Sequence, residues 1–356
     1  MPNICECTIR FDDNLCKVFA PGQIIAGTVE LRVLEALKVR GVKLEIKGFA
    51  KVSWTETIMQ SQSSQDAPHT TTETIHYDGR QEYLNTTYYL LGSQGNNIKF
   101  LLTAGTHCYR FQTVLPHNLP SSFEGAQGHI RYALLIVVDR PWMIDPTFKH
   151  EFKVQRQMNL NEIGNGIDMP YRIEVQKVFC CGPCASGPLY ISAQIPAGGY
   201  VPGQKITIHI ATFNKSTRNV NEFNVKLVQN VRYISQTPTR REKTVSVTVA
   251  SERYAGVAAG DDNVFDRDLT IPSLPPSSNQ KIYGQLIIID YKLKLEAKVS
   301  GLSVNLKMSI PIVLGTIPLM NHPAAMINNM NNNIQFHSFP VIIPELPASA
   351  ALFPTS

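Results

Sequence analysis

The chain has 356 residues, 43% of them apolar, with 22 glycines and 23 prolines and no dominant block of charge. That is enough for two or three domains, each able to bury its own core. A formal charge of +5, from 33 basic and 28 acidic side chains, is too mild for a dedicated nucleic-acid binder, which carries a basic stripe.

The opening MPNICECTIRF has no basic leader followed by an apolar run, so a cytoplasmic setting is expected. In that setting the glycosylation patterns Asn85-Thr-Thr and Asn214-Lys-Ser are silent. Farther on, Val29, Leu31 and Val33 alternate with Thr28, Glu30 and Arg32. Val42, Leu44 and Ile46 alternate with Lys43, Glu45 and Lys47. A period of two with one wet face is the mark of an antiparallel strand in a sandwich. Between these segments, RVLEALKVRG is the best helix candidate, and its Val and Gly content limits it to a short turn. Residues 59–75, MQSQSSQDAPHTTTETI, read as a polar insertion forming a mobile hairpin connection, with the AAGDD stretch around Gly260 as its counterpart.

In GHIRYALLIVVDRPW, residues 128–142, Ala133 to Val138 are apolar on both faces, which predicts a central strand; this longest apolar run is far short of a bilayer span. Pro141 ends that strand, and Trp142 is expected to fold back as a lid on the first core. Alternation returns at Val245 to Val249, at Leu293 to Val299 and at Leu302 to Ile310. The class is all-β.

The second half repeats the first. FAPGQIIAGTVELRV from Phe19 resembles YVPGQKITIHIATFN from Tyr200, with the Pro-Gly-Gln triplets 181 positions apart. LPHNLPSS at 115 matches IPSLPPSS at 271, and each precedes a strand bearing Arg131-Tyr132 or Asp290-Tyr291. Two tandem immunoglobulin-like sandwiches are expected at 1–156 and 185–320, joined by a linker at 157–184. The Asn-rich stretch 321–356 is read as a disordered tail. Its end carries Phe339, Val341, Ile342 and Ile343, which suit docking on a sheet edge; a frayed terminus is the plain alternative.

FCCGPCASGPLY, residues 179–190, contains a dithiol spacing at Cys181 and Cys184. A redox thiolate needs a helix N-terminus, and here a turn and a strand follow instead. Zinc would need a fourth ligand from elsewhere in the chain, such as Cys108 or His107. Reversible lipidation of Cys180 and Cys181 and simple packing at an interdomain joint both remain open. Ser122, Glu124 and His129 are close in sequence but lie in a glycine-bearing loop, where proximity alone makes no triad. No cofactor is expected, and binding is the default work.

Two binding features stand out. Lys43, Lys47 and Lys51 share the polar side of one strand and suit phosphates or acidic side chains. Arg131 and Asp290 hold matching positions in the two halves; they could pair across the domains, pair within their own sandwiches, or reach water.

The ordered set FAPGQIIAGTVELRV, GFAKVSWTE, LPSSFEGAQGHIRY, DRPW, SGPLYISAQIPAGGYVPGQ and IPIVLGTIPL resembles the arrestin-domain-containing proteins, the alpha-arrestin branch of the arrestin clan, over about residues 5–320. The resemblance implies two linked arrestin-type sandwiches and an intracellular adaptor without enzymatic activity, at the plasma membrane and endosomes. Its implied partners are cytoplasmic regions of membrane receptors or transporters, other arrestin-domain proteins, and a HECT-type ubiquitin ligase caught by Pro-Pro-x-Tyr motifs. This chain departs there: its only Pro-Pro, Pro275-Pro276, precedes Ser-Ser, and no tyrosine follows Tyr291. The ligase is therefore expected only indirectly, through a ligase-binding relative, with a scaffold that lacks ligase recruitment as the alternative.

Overall fold

The structure is a computed structural model describing residues 4–320 other than 13, 15, 65–66, 96–97, 165, 180–186, 279–284 and 302–304, with backbone alone over 60–71. The described residues fall into two compact units. One holds those of 1–156, 233–242 and 282–287, and the other holds the remainder.

In chain order the first unit contains β1 (Cys5–Phe11), β2 (Val18–Phe19), β3 (Ile24–Val33), β4 (Leu37–Val39), β5 (Gly41–Ser64), β6 (Ala67–Leu91), β7 (Phe100–Leu102), β8 (Gly105–Val114), β9 (Phe123–Gly125), β10 (Gly128–Asp139) and β11 (Thr147–Val154). One sheet runs β1-β3-β8 and the other β2-β11-β10-β5-β6, with β9 on β10 and β4 paired to β7 apart from both. Alternation decides which side is dry. Val29 and Leu31 of β3 are buried between polar neighbours, as are Leu44 and Ile46 of β5. Phe111, Phe11, Phe19, Phe152 and Tyr132 form a chain of ring contacts with centroids 5.4 to 6.5 Å apart, joining the sheets through the core. Each fully buried Leu, Ile or Phe contributes about 1.5–3 kcal/mol.

The second unit repeats this plan with β12 (Tyr171–Lys177), β13 (Leu189–Ile195), β14 (Gly199–Tyr200), β15 (Lys205–Asn214), β16 (Val220–Ile234), β17 (Glu242–Val257), β18 (Asp262–Thr270), β19 (Ile287–Val299) and β20 (Leu306–Leu314). The order β14-β20-β19-β16-β17 matches β2-β11-β10-β5-β6, and β13-β15-β18 matches β1-β3-β8, with β12 added beyond β13. Even the short parallel pairings recur, β2 with β11 and β14 with β20.

The repeat extends to single atoms. Gln23 and Gln204 each accept the amide three residues back, from Ala20 and Val201, at 2.8 Å. Gly22 and Gly203 take φ of 81° and 88°, the left-handed turn that the Pro-Gly pair allows, and their amides reach Leu115 and Ile271 at 3.0 and 2.9 Å. Ser122 and Ser277 hydroxyls accept the amides of Val154 and Leu314 at 2.9 and 3.0 Å. One detail shifts: Leu274 and Pro275 occupy the places of Leu119 and Pro120, so the gapless match of LPHNLPSS with IPSLPPSS is one residue out of step after the turn.

Several expectations change. The stretch 59–75 is a hairpin, as expected, but a long extension of the sheet: β5 and β6 pair from Val42 with Leu91 to Ser64 with Ala67, with register shifts after Val42 and Gly48. The ladder with β10 ends at Val52, and beyond the buried pair of Trp54 and Tyr77 the described side chains of this hairpin are not buried, so no apolar alternation is required there. Its counterpart in strand order is the β16–β17 connection, 235–241; the Gly260 turn joins β17 to β18 instead. RVLEALKVRG forms strand, bend and strand, and among the described residues the one helical segment is a 3-10 turn at Leu160–Glu162. Residues 157–177 belong to the second unit: Leu160 packs with Ala197, Val201 and Leu319, and β12 pairs with β13. The strand was hidden because β12 is an edge whose Ile173 and Val175 are only half-buried.

Candidate binding surface

The outward residues of β5 are Lys43, Glu45, Lys47, Phe49 and Lys51, each opposite a partner on β10 and on β6. The three lysines do not act as one cationic row. Lys43 Nζ lies 2.7 Å from Asp139, which also takes Arg40 Nε at 2.6 Å. Lys47 is paired with Glu45 at 2.6 Å. Lys51 is exposed and has no ion pair among the described residues.

The uncommitted charge runs across the strands instead of along one. In register, Arg80 of β6, Lys51 of β5 and His129 of β10 form a transverse row. One step along, Phe49 is covered by the Arg80 guanidinium, 4.3 Å from its ring centroid, and meets the His129 ring edge-on at 5.8 Å. Burial first, then the charge of Arg131, depresses the His129 pKa; Lys51 and Lys149 act the same way and Glu124 opposes them. His129 therefore stands neutral near pH 7, in a field that attracts negative charge. The carboxylates nearby are Glu124, taken by Arg131, Glu151, taken by Lys149, and Glu82, one step away opposite Phe49. Arg80 and Phe49 escaped the sequence reading, and His129 was read only beside Ser122 and Glu124, because only strand register brings the three together; the one local signal was an aromatic at Phe49 on an otherwise polar face.

Arg131 forks onto Glu124 with Nε and Nη2 at 2.7 and 2.8 Å. Asp290 accepts from Asn230 Nδ2 at 2.8 Å, and Ser246 in turn donates to Asn230 Oδ1 at 2.8 Å. Each of the two charges thus has a partner in its own unit. Ser122 is bonded to the Val154 amide, and Glu124, the register partner of His129, is forked by Arg131, so the three side chains do not form the hydrogen-bonded relay of a catalytic triad.

Cys180, Cys181 and Cys184 lie outside the described residues, as do Phe339, Val341, Ile342 and Ile343 of the tail. Cys5, Cys7, Cys16 and Cys108 are free thiols. Burial pushes Cys7 up to about 12, which makes it a poor nucleophile at neutral pH. Among the described residues no three metal-ligating side chains come together, and no helix is long and apolar enough to cross a membrane.

Trp142 does not cover the core. It is 98% exposed, at φ 60°, on the turn between β10 and β11.

Two family models match in tandem: the arrestin (or S-antigen) N-terminal domain over residues 7–161, and the C-terminal domain over 185–319. Among similar curated proteins, arrestin domain-containing protein 17 of Caenorhabditis elegans is 28% identical over 321 residues, covering 87% of this chain and 70% of that protein. Human arrestin domain-containing protein 4 is 28% identical over 310 residues, 86% of this chain and 70% of its own length. Human arrestin domain-containing protein 1 is 26% identical over 309 residues, with 86% and 64% covered.

Proposed function

The chain belongs to the arrestin family, and from that premise we infer that it is a non-enzymatic adaptor gripping cytoplasmic regions of membrane receptors or transporters and directing their endocytosis and sorting. The observation that carries the reading is the row of Arg80, Lys51 and His129 beside the ring of Phe49. Two exposed cations and an aromatic face, on rigid strands, suit an acidic or phosphorylated segment that also offers an apolar side chain.

Recruitment of a HECT-type ligase runs through a ligase-binding relative in this reading. The chain's single Pro-Pro serves packing: the Pro275 carbonyl accepts the Tyr291 hydroxyl at 2.7 Å, and Ser277 and Ser278 follow. The same observation favours a second reading, a scaffold that occupies cargo without promoting ubiquitination. Expressing the chain with and without residues 321–356, and measuring both cargo bound and cargo ubiquitin, separates them. Raised ubiquitin on bound cargo supports the sorting adaptor. Cargo bound with ubiquitin unchanged supports the scaffold, and recovery of soluble enzymes in place of membrane proteins defeats both.

A further inference from the structure

The turn 140–146, Arg-Pro-Trp-Met-Ile-Asp-Pro, presents three consecutive apolar residues to water: Trp142 at 98% exposure, Met143 at 60% and Ile144 at 78%. Single exposed apolar residues are ordinary, but a run of this kind marks a contact surface. The turn is held in shape. The Arg140 amide donates to Asp145 at 2.8 Å, the Val138 amide to Pro146 at 3.0 Å, and the Arg140 guanidinium lies 2.8 Å from the Met143 sulfur. Trp142 is kept outward by a left-handed backbone that a bulky L-residue rarely adopts.

The same end of the first unit carries the β4–β7 ladder, tied to β10 by the Arg40 amide bonding Asp139 at 2.7 Å. There Leu101, 60% exposed, stands opposite the exposed Lys38. Of the acidic groups at this end, Asp139 is paired with Arg40 and Lys43, while Asp145, which accepts the Arg140 amide, and Glu35 keep their charge against Arg140 and Lys38. Basic groups are in excess, and Lys38 has no ion pair among the described residues.

We propose that this end is a membrane-surface anchor in which Trp142, Met143 and Ile144 enter the headgroup region of an anionic bilayer while Lys38 meets lipid phosphates. The occupant follows from the chemistry. A tryptophan on a fixed tip, flanked by flexible apolar side chains and fringed by lysine, matches the interface between acyl chains and headgroups. A protein pocket would have to be complementary to a single projecting ring. The site is separate from the cargo surface, and a test on protein-free vesicles is independent of the cargo reading.

The chain has two tryptophans, and Trp54 is 4% exposed and stacked on Tyr77 at 5.5 Å, so Trp142 dominates any change in fluorescence. Titrating the full chain with vesicles of phosphatidylcholine plus phosphatidylserine shifts its emission to shorter wavelength. Trp142→Ser abolishes the shift and lowers co-sedimentation on the order of tenfold, the loss expected for one inserted aromatic. Trp142→Phe loses the shift and keeps most of the binding, and neither variant alters the melting temperature. Emission unmoved at saturating lipid overturns the proposal. So does co-sedimentation indifferent to Trp142→Ser, or equal binding to vesicles without phosphatidylserine. A protein partner lost on Trp142→Ser, with vesicles leaving the spectrum unchanged, would assign the tip to protein instead.

Discussion

Tyr132 donates its phenolic hydroxyl to the Pro120 carbonyl at 2.7 Å, from a ring 1% exposed in the first core. Tyr291 makes the equivalent bond to Pro275, also at 2.7 Å, and accepts from Gln229 Nε2 at 2.8 Å. Burial holds both phenols neutral and donating by pushing their pKa values up. Tyr132→Phe leaves a carbonyl without its partner and is expected to cost about 1–3 kcal/mol. Tyr291→Phe also strands the Gln229 amide and costs more. Equilibrium urea unfolding reads both, and a midpoint unchanged in either variant would show that the bond is dispensable.

Gly22 and Gly203 share a turn and a positive φ but differ in surroundings. A Cβ at Gly203 meets nothing within 4 Å, while one at Gly22 would come within 2.4 Å of the exposed His117 ring. Alanine at Gly203 therefore measures backbone strain alone, about 1–2 kcal/mol. Gly22→Ala should cost the same plus a small amount for swinging His117 away. A penalty seen at Gly22 only would mean that crowding, and not the turn, sets the need for glycine.

The fork of Arg131 on Glu124 is half-exposed, at 42% and 38% for the two side chains. A double-mutant cycle with alanine at both positions should give a coupling of about 0.2–1 kcal/mol that fades in high salt. Coupling of several kcal/mol, indifferent to salt, would contradict the exposed geometry.

Asp139 supplies the pH dependence. Burial opposes its ionisation, but the hydrogen bonds from Lys43 and Arg40 outweigh burial and hold its carboxyl below the usual range. A folded pKa below the unfolded one stabilises the protein above the unfolded value and is lost as pH falls through the folded value. Wild-type stability should therefore decline below roughly pH 4, and Asp139→Asn should be less stable at pH 7 with the gap narrowing at acid pH. Urea midpoints of both proteins at neutral and acid pH test this. A gap that does not narrow would mean that the pairing contributes nothing that titrates.

The duplicated plan was legible because turns and strand faces are local: Pro-Gly-Gln specifies a left-handed residue, and a period of two specifies which side is dry. What failed to show depended on partners distant in sequence. Asp139 lies 96 positions after Lys43 yet neutralises it, so the lysine pattern overstated a basic face. Arg80 and His129 become neighbours of Lys51 only through register. Trp142 was misplaced because composition cannot tell whether an aromatic after a strand-ending proline turns inward or outward. Beyond the buried Trp54 and Tyr77, the β5–β6 ladder has pairing without buried side chains among the described residues, and pairing alone leaves no apolar signature.

The claim on which the functional account rests is that partner proteins are held by the outer face of the first unit's large sheet. Proximity labelling in cells, comparing the intact chain with a Lys51→Glu, Arg80→Glu variant of unchanged melting temperature, addresses it directly. The account predicts that membrane proteins dominate the intact chain's neighbours and fall away in the variant. A neighbour set made of soluble enzymes, or one unaltered by the charge reversal, would contradict it.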